Sequence, residues 1–413
     1  MDAFTPQVVL KAYLDCRKRK RGTLNAIAFE QKLGSNLVSL TNSLNDGSYY
    51  PGTSICFVVR NPKPREVFAA DFKDRIVHHL LVRDLEQYWE KVFIYDSYAC
   101  RKGKGTLAAV DRLAHFMRSI TLNGQKRAWY LQCDIKNFFM SIDKSILWKL
   151  LLKGMQKQFG GNVPEAFKDL LYKVLMHSPT TDFSNKSSEK LWSCVPHEKS
   201  LFFAQEGKGL PIGNLTSQFF ANVYMNMFDQ FIKRVLKVKY YIRYVDDFIL
   251  LSEDRLQLVG WLGQIRNFLR ENLALSIKST SKIASLSGGI NFLGYIQHMH
   301  YRLVRRRVAF TFRRNLRLVR NKYISNKITG KTRRITWRVL IRTRSVLCSY
   351  LAYIGHANGR KGFSKALMCH RRWLDHYFSI SKAKASFVYD LELKRKFSVL
   401  NTYADDSIDT GNN

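Results

Sequence analysis

Tyr240-Tyr241-Ile242-Arg243-Tyr244-Val245-Asp246-Asp247-Phe248-Ile249-Leu250-Leu251 is a β-rich apolar run broken by two adjacent carboxylates. The pattern predicts a hairpin with its acids at the turn, exposed while the flanking strands are buried. Adjacent carboxylates repel and an unpaired buried one is costly; a divalent cation removes both penalties. A solvated turn carries Asp just as readily, so the pair gains meaning only from its company. That company is Trp129-Tyr130-Leu131-Gln132-Cys133-Asp134, a second strand delivering an acid at its end. Asp134, Asp246 and Asp247 would together form a magnesium site of oxygen ligands with room for water and substrate phosphates. Such a site suits in-line displacement at phosphorus: one ion lowers the pKa of an attacking hydroxyl, a second stabilises the leaving oxygens.

The 413 residues carry a formal charge of +36. That excess implies a polyanionic partner, nucleic acid ahead of an anionic membrane. No apolar run approaches the roughly 18 to 20 residues of a spanning helix. Met1-Asp2-Ala3-Phe4-Thr5-Pro6 has neither the basic start nor the apolar core of a signal peptide. A cytoplasmic protein with no membrane partner is expected. The cysteines (16, 56, 100, 133, 194, 348, 369) form no C-x-x-C and no zinc-ligand spacing, so reduced, mostly buried thiols are expected. Between Glu271 and Asp375 no acidic residue interrupts the Arg and Lys. If that stretch makes about six to ten phosphate contacts, affinity falls by several decades between low and moderate salt.

Working outward, helical spacing appears in the first fifty residues (Phe29, Leu33, Leu37, Leu40, Leu44). Ile55 to Arg60 and Arg65 to Ala69 read as strands around Asn61-Pro62-Lys63-Pro64-Arg65, where the prolines force an extended backbone. Helices are expected over Phe72 to Val92, Leu107 to Ile120, Lys144 to Leu152, Ala166 to Met176 and Leu215 to Val235, and strands over Ala128 to Asp134 and Ile290 to Tyr295. Tyr98 to Thr106 looks like half a phosphate-binding loop, but its spacing is incomplete and a basic turn before a helix is the plainer reading. Ser178 to Lys208 lacks periodicity and reads as a surface insertion. Helical stretches near Phe310 to Tyr323 and Trp337 to Ile354 fill the basic region, and the acidic polar end reads as disordered. Strands and helices in this order give an α+β fold.

Tyr244-Val245-Asp246-Asp247 resembles the Y-x-D-D box of reverse transcriptases, and Asp134-Ile135-Lys136-Asn137-Phe138-Phe139 with Ser141-Ile142-Asp143 resembles the segment carrying their other catalytic Asp. Between them, in the expected order, lies Gly209-Leu210-Pro211-Ile212-Gly213-Asn214-Leu215-Thr216-Ser217-Gln218-Phe219-Phe220-Ala221-Asn222. Asn291-Phe292-Leu293-Gly294-Tyr295 is similar to the motif at the palm-to-thumb junction. The resemblance implies a right-hand polymerase: an N-terminal extension and fingers over 1–125, palm over 126–299 with the insertion near 178–208, a basic helical thumb over 300–395 and a tail over 396–413. Where intron, retron and retroviral enzymes usually have Gln-Gly and Ser-Pro, this chain has Ile212-Gly213 and Ser217-Gln218. Those residues, with Lys63-Pro64-Arg65, Phe72-Lys73-Asp74-Arg75 and Tyr98-Ala99-Cys100-Arg101, look like the reverse transcriptases of diversity-generating retroelements, which copy a template RNA with frequent errors at adenines.

The resemblance implies Asp134, Asp246 and Asp247 as catalytic residues and, with Ile135, as the ligands of two Mg2+ ions, Mn2+ being a substitute. Lys63 and Arg65 would hold the triphosphate, Arg by a bidentate fork. Phe139, five residues after Asp134, matches an aromatic gate against a ribose 2′-hydroxyl, though a core Phe fits as well. Ile212, Gly213 and Gln218 would line the nucleotide. An aliphatic Ile212 removes a directional contact worth about 1 kcal/mol or more, relaxing base discrimination; a packing isoleucine before a glycine turn is the alternative. Lys278 and Lys282 both fit a general acid toward pyrophosphate. Arg305-Arg306-Arg307, Arg313-Arg314, Arg317, Arg320, Lys331, Arg333, Arg334, Arg338, Arg342 and Arg344 would grip a duplex through its phosphates. Implied partners are template RNA, the cDNA/RNA duplex, dNTPs and a small oligomeric accessory protein. A retron or abortive-infection reverse transcriptase, or a non-catalytic RNA-binding scaffold, stays open as an alternative.

Overall fold

The computed structural model describes residues 4–18, 22–60, 63–328, 337–358, 365, 367–382 and 389–393. The chain divides into two compact units, one of Met1–Ala109 with Ala128–Ala284, the other of Val110–Arg127 with Ser285–Asn413. The architecture is α+β, as the order of elements predicts.

The first unit opens with helices α1 (Pro6–Arg17), α2 (Leu24–Gln31) and α3 (Leu33–Asn45). Strands β1 (Ser54–Val59) and β2 (Arg65–Ala69) form an antiparallel hairpin. Helix α4 (Phe72–Val92) matches its expected bounds: Asp71 caps it by accepting from Lys73 N, and Ile76, Leu80, Leu81, Leu85 and Trp89 form its buried stripe. Then come α5 (Thr106–Ile120), whose length falls across both units, β3 (Trp129–Asp134), α6 (Phe138–Ser141), α7 (Lys144–Gln158) and α8 (Glu165–Met176). Asp143 caps α7 by accepting from Ser145 N and Ile146 N.

Most of segment 178–208 is exposed or half-buried, with a few residues turned inward. Its β4 (Phe183–Asn185) joins β1 in parallel, α9 (Glu189–Trp192) follows, and Leu201 is buried against Phe68 and Cys56. Its apolar residues show no single period because they reach the cluster from a short strand (Phe183), a short helix (Trp192) and a 3-10 turn (Leu201). Helix α10 (Leu215–Gln230) continues as a π-helical turn over Phe231–Val235, so the helical run reaches its expected end. Strands β5 (Tyr241–Tyr244) and β6 (Asp247–Ser252), helix α11 (Arg255–Leu273) and β7 (Lys282–Ser285) complete a sheet ordered β5-β6-β3-β7.

In the second unit the single strand expected over 290–295 is a hairpin of β8 (Ile290–Phe292) and β9 (Tyr295–Gln297), extended by β10 (Arg302–Val304). Its turn needs Gly294, at φ +90°, where a Cβ would overlap the Tyr353 hydroxyl. Phe312 and Leu316 of α12 (Arg306–Ile328) pack against Leu340, Leu347 and Leu351 of α13 (Trp337–Gly355). Arg313, Arg314, Arg317 and Arg320 lie on the exposed side of α12, as do Arg342 and Arg344 on α13. Helix α14 (Arg371–Tyr377) leads into a hairpin of β11 (Phe378–Lys382) and β12 (Tyr389–Leu393), where only helix was expected. The side chains of Lys331, Arg333, Arg334 and Arg338, and the 396–413 tail, lie outside the described residues. The cysteines depart from the mostly buried expectation: Cys16, Cys56 and Cys133 are buried, but Cys100, Cys194 and Cys369 are exposed on turns or helix ends. No described helix is long and apolar enough to cross a membrane.

Candidate active site

Strand register brings the acids together. β3 and β6 pair antiparallel with Asp134 opposite Asp247, and β5 pairs with β6 with Tyr244 opposite Asp247. Val245 and Asp246 are left as a two-residue turn, the tightest hairpin link. Val245 sits at φ +57°, a conformation a β-branched residue adopts only when its surroundings impose it.

The imposing group is Arg243, which has no exposed surface. Its Nη1 donates to the Val245 carbonyl at 3.0 Å. Its Nε and Nη2 fork onto Asp229 Oδ1 and Oδ2 at 2.8 and 2.6 Å, and Nη2 also donates to Ser97 Oγ at 3.0 Å. Tyr241 OH donates to Asp229 Oδ1 at 2.7 Å. A bidentate charged pair of this kind has one good geometry, so the turn is fixed from beneath by a rigid strut.

The carboxylates themselves are unequal. Burial, and then the neighbouring Asp134 carboxylate, push Asp246 up to about 6. Asp134 Oδ1 is buried without a hydrogen-bond partner, while Oδ2 receives Lys278 Nζ at 2.5 Å. Asp247 accepts from Gln132 Nε2 at 3.1 Å. Two facing carboxylates, one with an orphaned oxygen and one that resists ionising, suit a hard divalent cation. Among the described residues no three acidic, His or Cys side chains converge on one point: Asp134 and Asp246 face each other, and Asp247 turns to Gln132. Ile135 donates its N–H to the Asp246 carbonyl at 3.3 Å and its side chain is buried, so only its main-chain carbonyl is available as a ligand. Lys282 Nζ stands 5.9 Å over the Tyr130 ring instead of at the carboxylates.

The residues assigned to the nucleotide fall into two groups. Phe139 and Ile212 are half-buried against one small cluster of Cys56, Phe68, Met140 and Leu201. The Ile212 carbonyl accepts from Phe68 N at 2.8 Å, and at Gly213 (φ +125°) a Cβ would stand 2.7 Å from the Phe68 carbonyl. Glycine is therefore required there for close approach to β2. Lys63 and Arg65 are exposed where β2 begins, and Gln218 is exposed in the first turn of α10. The glycine-bearing loop before α5 follows its plainer reading: Arg101 forks onto Glu90, Lys102 pairs with Glu86 at 2.5 Å, and Lys104 lies 3.4 Å over the Tyr95 ring. Sequence reading missed Gln132, Asp229 and Glu66. An acid buried in a helix, as Asp229 is in α10, was the available signal, since it calls for a cationic partner.

A family model described as reverse transcriptase (RNA-dependent DNA polymerase) matches residues 60–297. The chain is 22% identical over 327 residues to Protein YkfC of Escherichia coli (strain K12), covering 70% of this chain and 76% of that protein. It is 20% identical over 356 residues to the putative COX1/OXI3 intron 2 protein of Saccharomyces cerevisiae (strain ATCC 204508 / S288c), covering 68% of this chain but 38% of that protein. A solved structure of telomerase from Candida albicans, in complex with a TWJ fragment of telomeric RNA, aligns at a TM-score of 0.44 and 10% identity over 79% of this chain and 62% of its own. With more than half of its length matched by the family model and the acids of β3 and of the β5–β6 hairpin brought together, the chain belongs to the reverse transcriptases, the RNA-dependent DNA polymerases.

Proposed function

We propose that this reverse transcriptase serves a diversity-generating retroelement in the cytoplasm, copying a template RNA into cDNA with frequent errors at adenines and acting with a small oligomeric accessory protein. The supporting observation is Ile212: an aliphatic side chain, half-buried beside Phe139 and held through its carbonyl, in a motif that ends Ser217-Gln218. In this reading fingers, palm and thumb correspond to 1–125, 126–299 and 300–395.

A primer 3′-hydroxyl oxygen attacks the α-phosphorus of a dNTP; the bond to the β-phosphate breaks, the hydroxyl proton goes to solvent and pyrophosphate leaves. Asp134 and Asp246 would hold Mg2+ or Mn2+, with Asp247 and the Ile135 carbonyl assisting. Held there, the ions would supply Lewis acidity for the hydroxyl and for charge on the phosphate oxygens. Lys63 and Arg65 bind the triphosphate. Phe139 excludes a ribonucleotide by shape. Of the two candidate lysines, we favour Lys278, which pairs with Asp134, as the donor of an Nζ proton to pyrophosphate.

Primer extension with Asp246→Ala tests the catalytic assignment, and full activity in that variant would refute it. Sequencing products of Ile212→Gln tests the fidelity assignment: misincorporation opposite adenine should fall, and an unchanged error spectrum would sink it. Sequencing RNA co-purified with the protein tests the element: a template resembling the end of a neighbouring gene is expected, and a retron-type RNA would overturn it.

A further inference from the structure

We propose that residues 183–204 are a positioning segment for nucleotide selection, acting through Glu66 and Leu201 on Phe139 and Ile212. The inference rests on the reading of Phe139 and Ile212 as nucleotide-selecting residues.

The segment is built into the hairpin that carries Lys63 and Arg65. Along β1, β4 pairs in parallel, Lys186 N donates to the Cys56 carbonyl at 2.9 Å and Val58 N donates to Ser187 Oγ at 2.9 Å. On β2, Glu66 is only 1% exposed although it follows an exposed arginine. A buried carboxylate must find donors, and both of its donors come from the segment: Ser200 Oγ at 2.8 Å and the Leu201 backbone N–H. Burial holds the Glu66 carboxyl above its ordinary range despite these bonds.

Leu201 then carries the connection inward. Its side chain belongs to the cluster on which Phe139 and Ile212 both rest. At Gly209 (φ +93°) a Cβ would stand 2.6 Å from Leu201 Cδ1, so the loop leading to Ile212 lies directly on this side chain. That loop is tied to the other selecting residue, because Leu210 N donates to the Phe139 carbonyl at 2.8 Å. Phe202 closes the outer side, its ring 5.7 Å from that of Phe68, whose N–H holds the Ile212 carbonyl. Glu66, Leu201, the 209–213 loop and Phe68 thus form one packed path from the segment to both selecting side chains.

An aromatic gate rejects a 2′-hydroxyl by contact distance alone, and interiors transmit a missing volume because they are close-packed. Removing the support should therefore loosen selection without touching a reacting atom. The test compares Leu201→Ala, Glu66→Ala and the milder Ser200→Ala with wild type, with Glu66→Gln as the conservative variant and Phe139→Ala as reference. The readouts are the ratio of kcat/KM for a dNTP over the matching rNTP, the KM for dNTP and the primer–template Kd.

Phe139→Ala is expected to lower the ratio by about tenfold or more, and the three supporting variants by about three- to tenfold. In those variants KM for dNTP rises, the primer–template Kd is unchanged, and Glu66→Gln stays near wild type because an amide accepts from Leu201 N and donates to Ser200. If Phe139→Ala lowers the ratio while Ser200→Ala and whichever of the other two fold keep the wild-type value, the positioning role is overturned and the gate survives. An unchanged ratio in Phe139→Ala overturns the gate reading, and this inference with it.

Discussion

Replacing Asp229 by Ala should cripple both the stability and the chemistry of this polymerase, and the two losses should be separable. The carboxylate accepts from Arg243 Nε and Nη2 and from Tyr241 OH, and neither Asp229 nor Arg243 has exposed surface. Removing it leaves a guanidinium with no water and no counter-charge, a loss of about 3–5 kcal/mol for breaking such a pair from one side. Urea denaturation followed by tryptophan fluorescence should show a lowered midpoint. Replacing both partners, Asp229→Leu with Arg243→Met, removes the buried charge altogether and should recover most of that loss, less about 1 kcal/mol for the Tyr241 hydroxyl. Activity should not recover with it. In the double variant the Val245 carbonyl has lost its Arg243 donor, the strut that holds a β-branched residue at φ +57°, and an Asp246 displaced by even a fraction of an ångström should lower kcat about tenfold or more. Single-turnover primer extension measures that term. A double variant that is stable and has wild-type kcat would refute the strut.

Lys144 is buried, its Nζ donating to the Met176 and His177 carbonyls, and burial lowers it to about 8. The fold thus favours the neutral amine, and between about pH 8 and the ordinary value near 10.5 the unfolded chain binds more protons, so this group adds stability as pH rises through that window, by up to about 3 kcal/mol. Lys144→Met should flatten the pH dependence of the denaturation midpoint there; an unchanged slope would show that the ammonium is not desolvated. Separately, Arg313→Gln with Arg317→Gln should weaken duplex binding and reduce the slope of log K against log salt by about 1 to 2, as expected for one or two lost phosphate contacts, measured by fluorescence anisotropy across a salt series. A parallel shift with no change of slope would assign these side chains to something other than phosphate.

What the sequence revealed depended on the range of the interaction. Helix α4 was legible end to end because its stripe, its cap and its basic face all lie within one segment. The hairpin at Asp246 was legible for the same reason, and its turn fell where the apolar alternation broke. Asp134 needed only a strand ending in an acid. The departures were long-range. Gln132 acquires its partner through the β3–β6 register, and Glu66 looks like one more charge on a strand until Ser200 and Leu201 close over it. Leu201 itself lies in a polar stretch with no period, where hydrophobicity has no geometry until the chain has folded. Lys278 and Lys282 are equivalent by spacing, and only folding brings Lys278 Nζ to Asp134 while Lys282 Nζ lies over the Tyr130 ring.

The pairing of β3 with β6 also has a consequence for synthesis. Gln132 and Asp247 are 115 positions apart, and at about 5–20 residues per second the ribosome needs on the order of ten seconds to supply the second strand after the first has emerged. For that interval Trp129 to Asp134 is an apolar strand with neither partner of its final sheet beside it, an aggregation hazard. Because the acids meet only when the late hairpin arrives, a chain cut short anywhere before it carries no polymerase site, and prematurely terminated translation yields fragments unable to copy RNA.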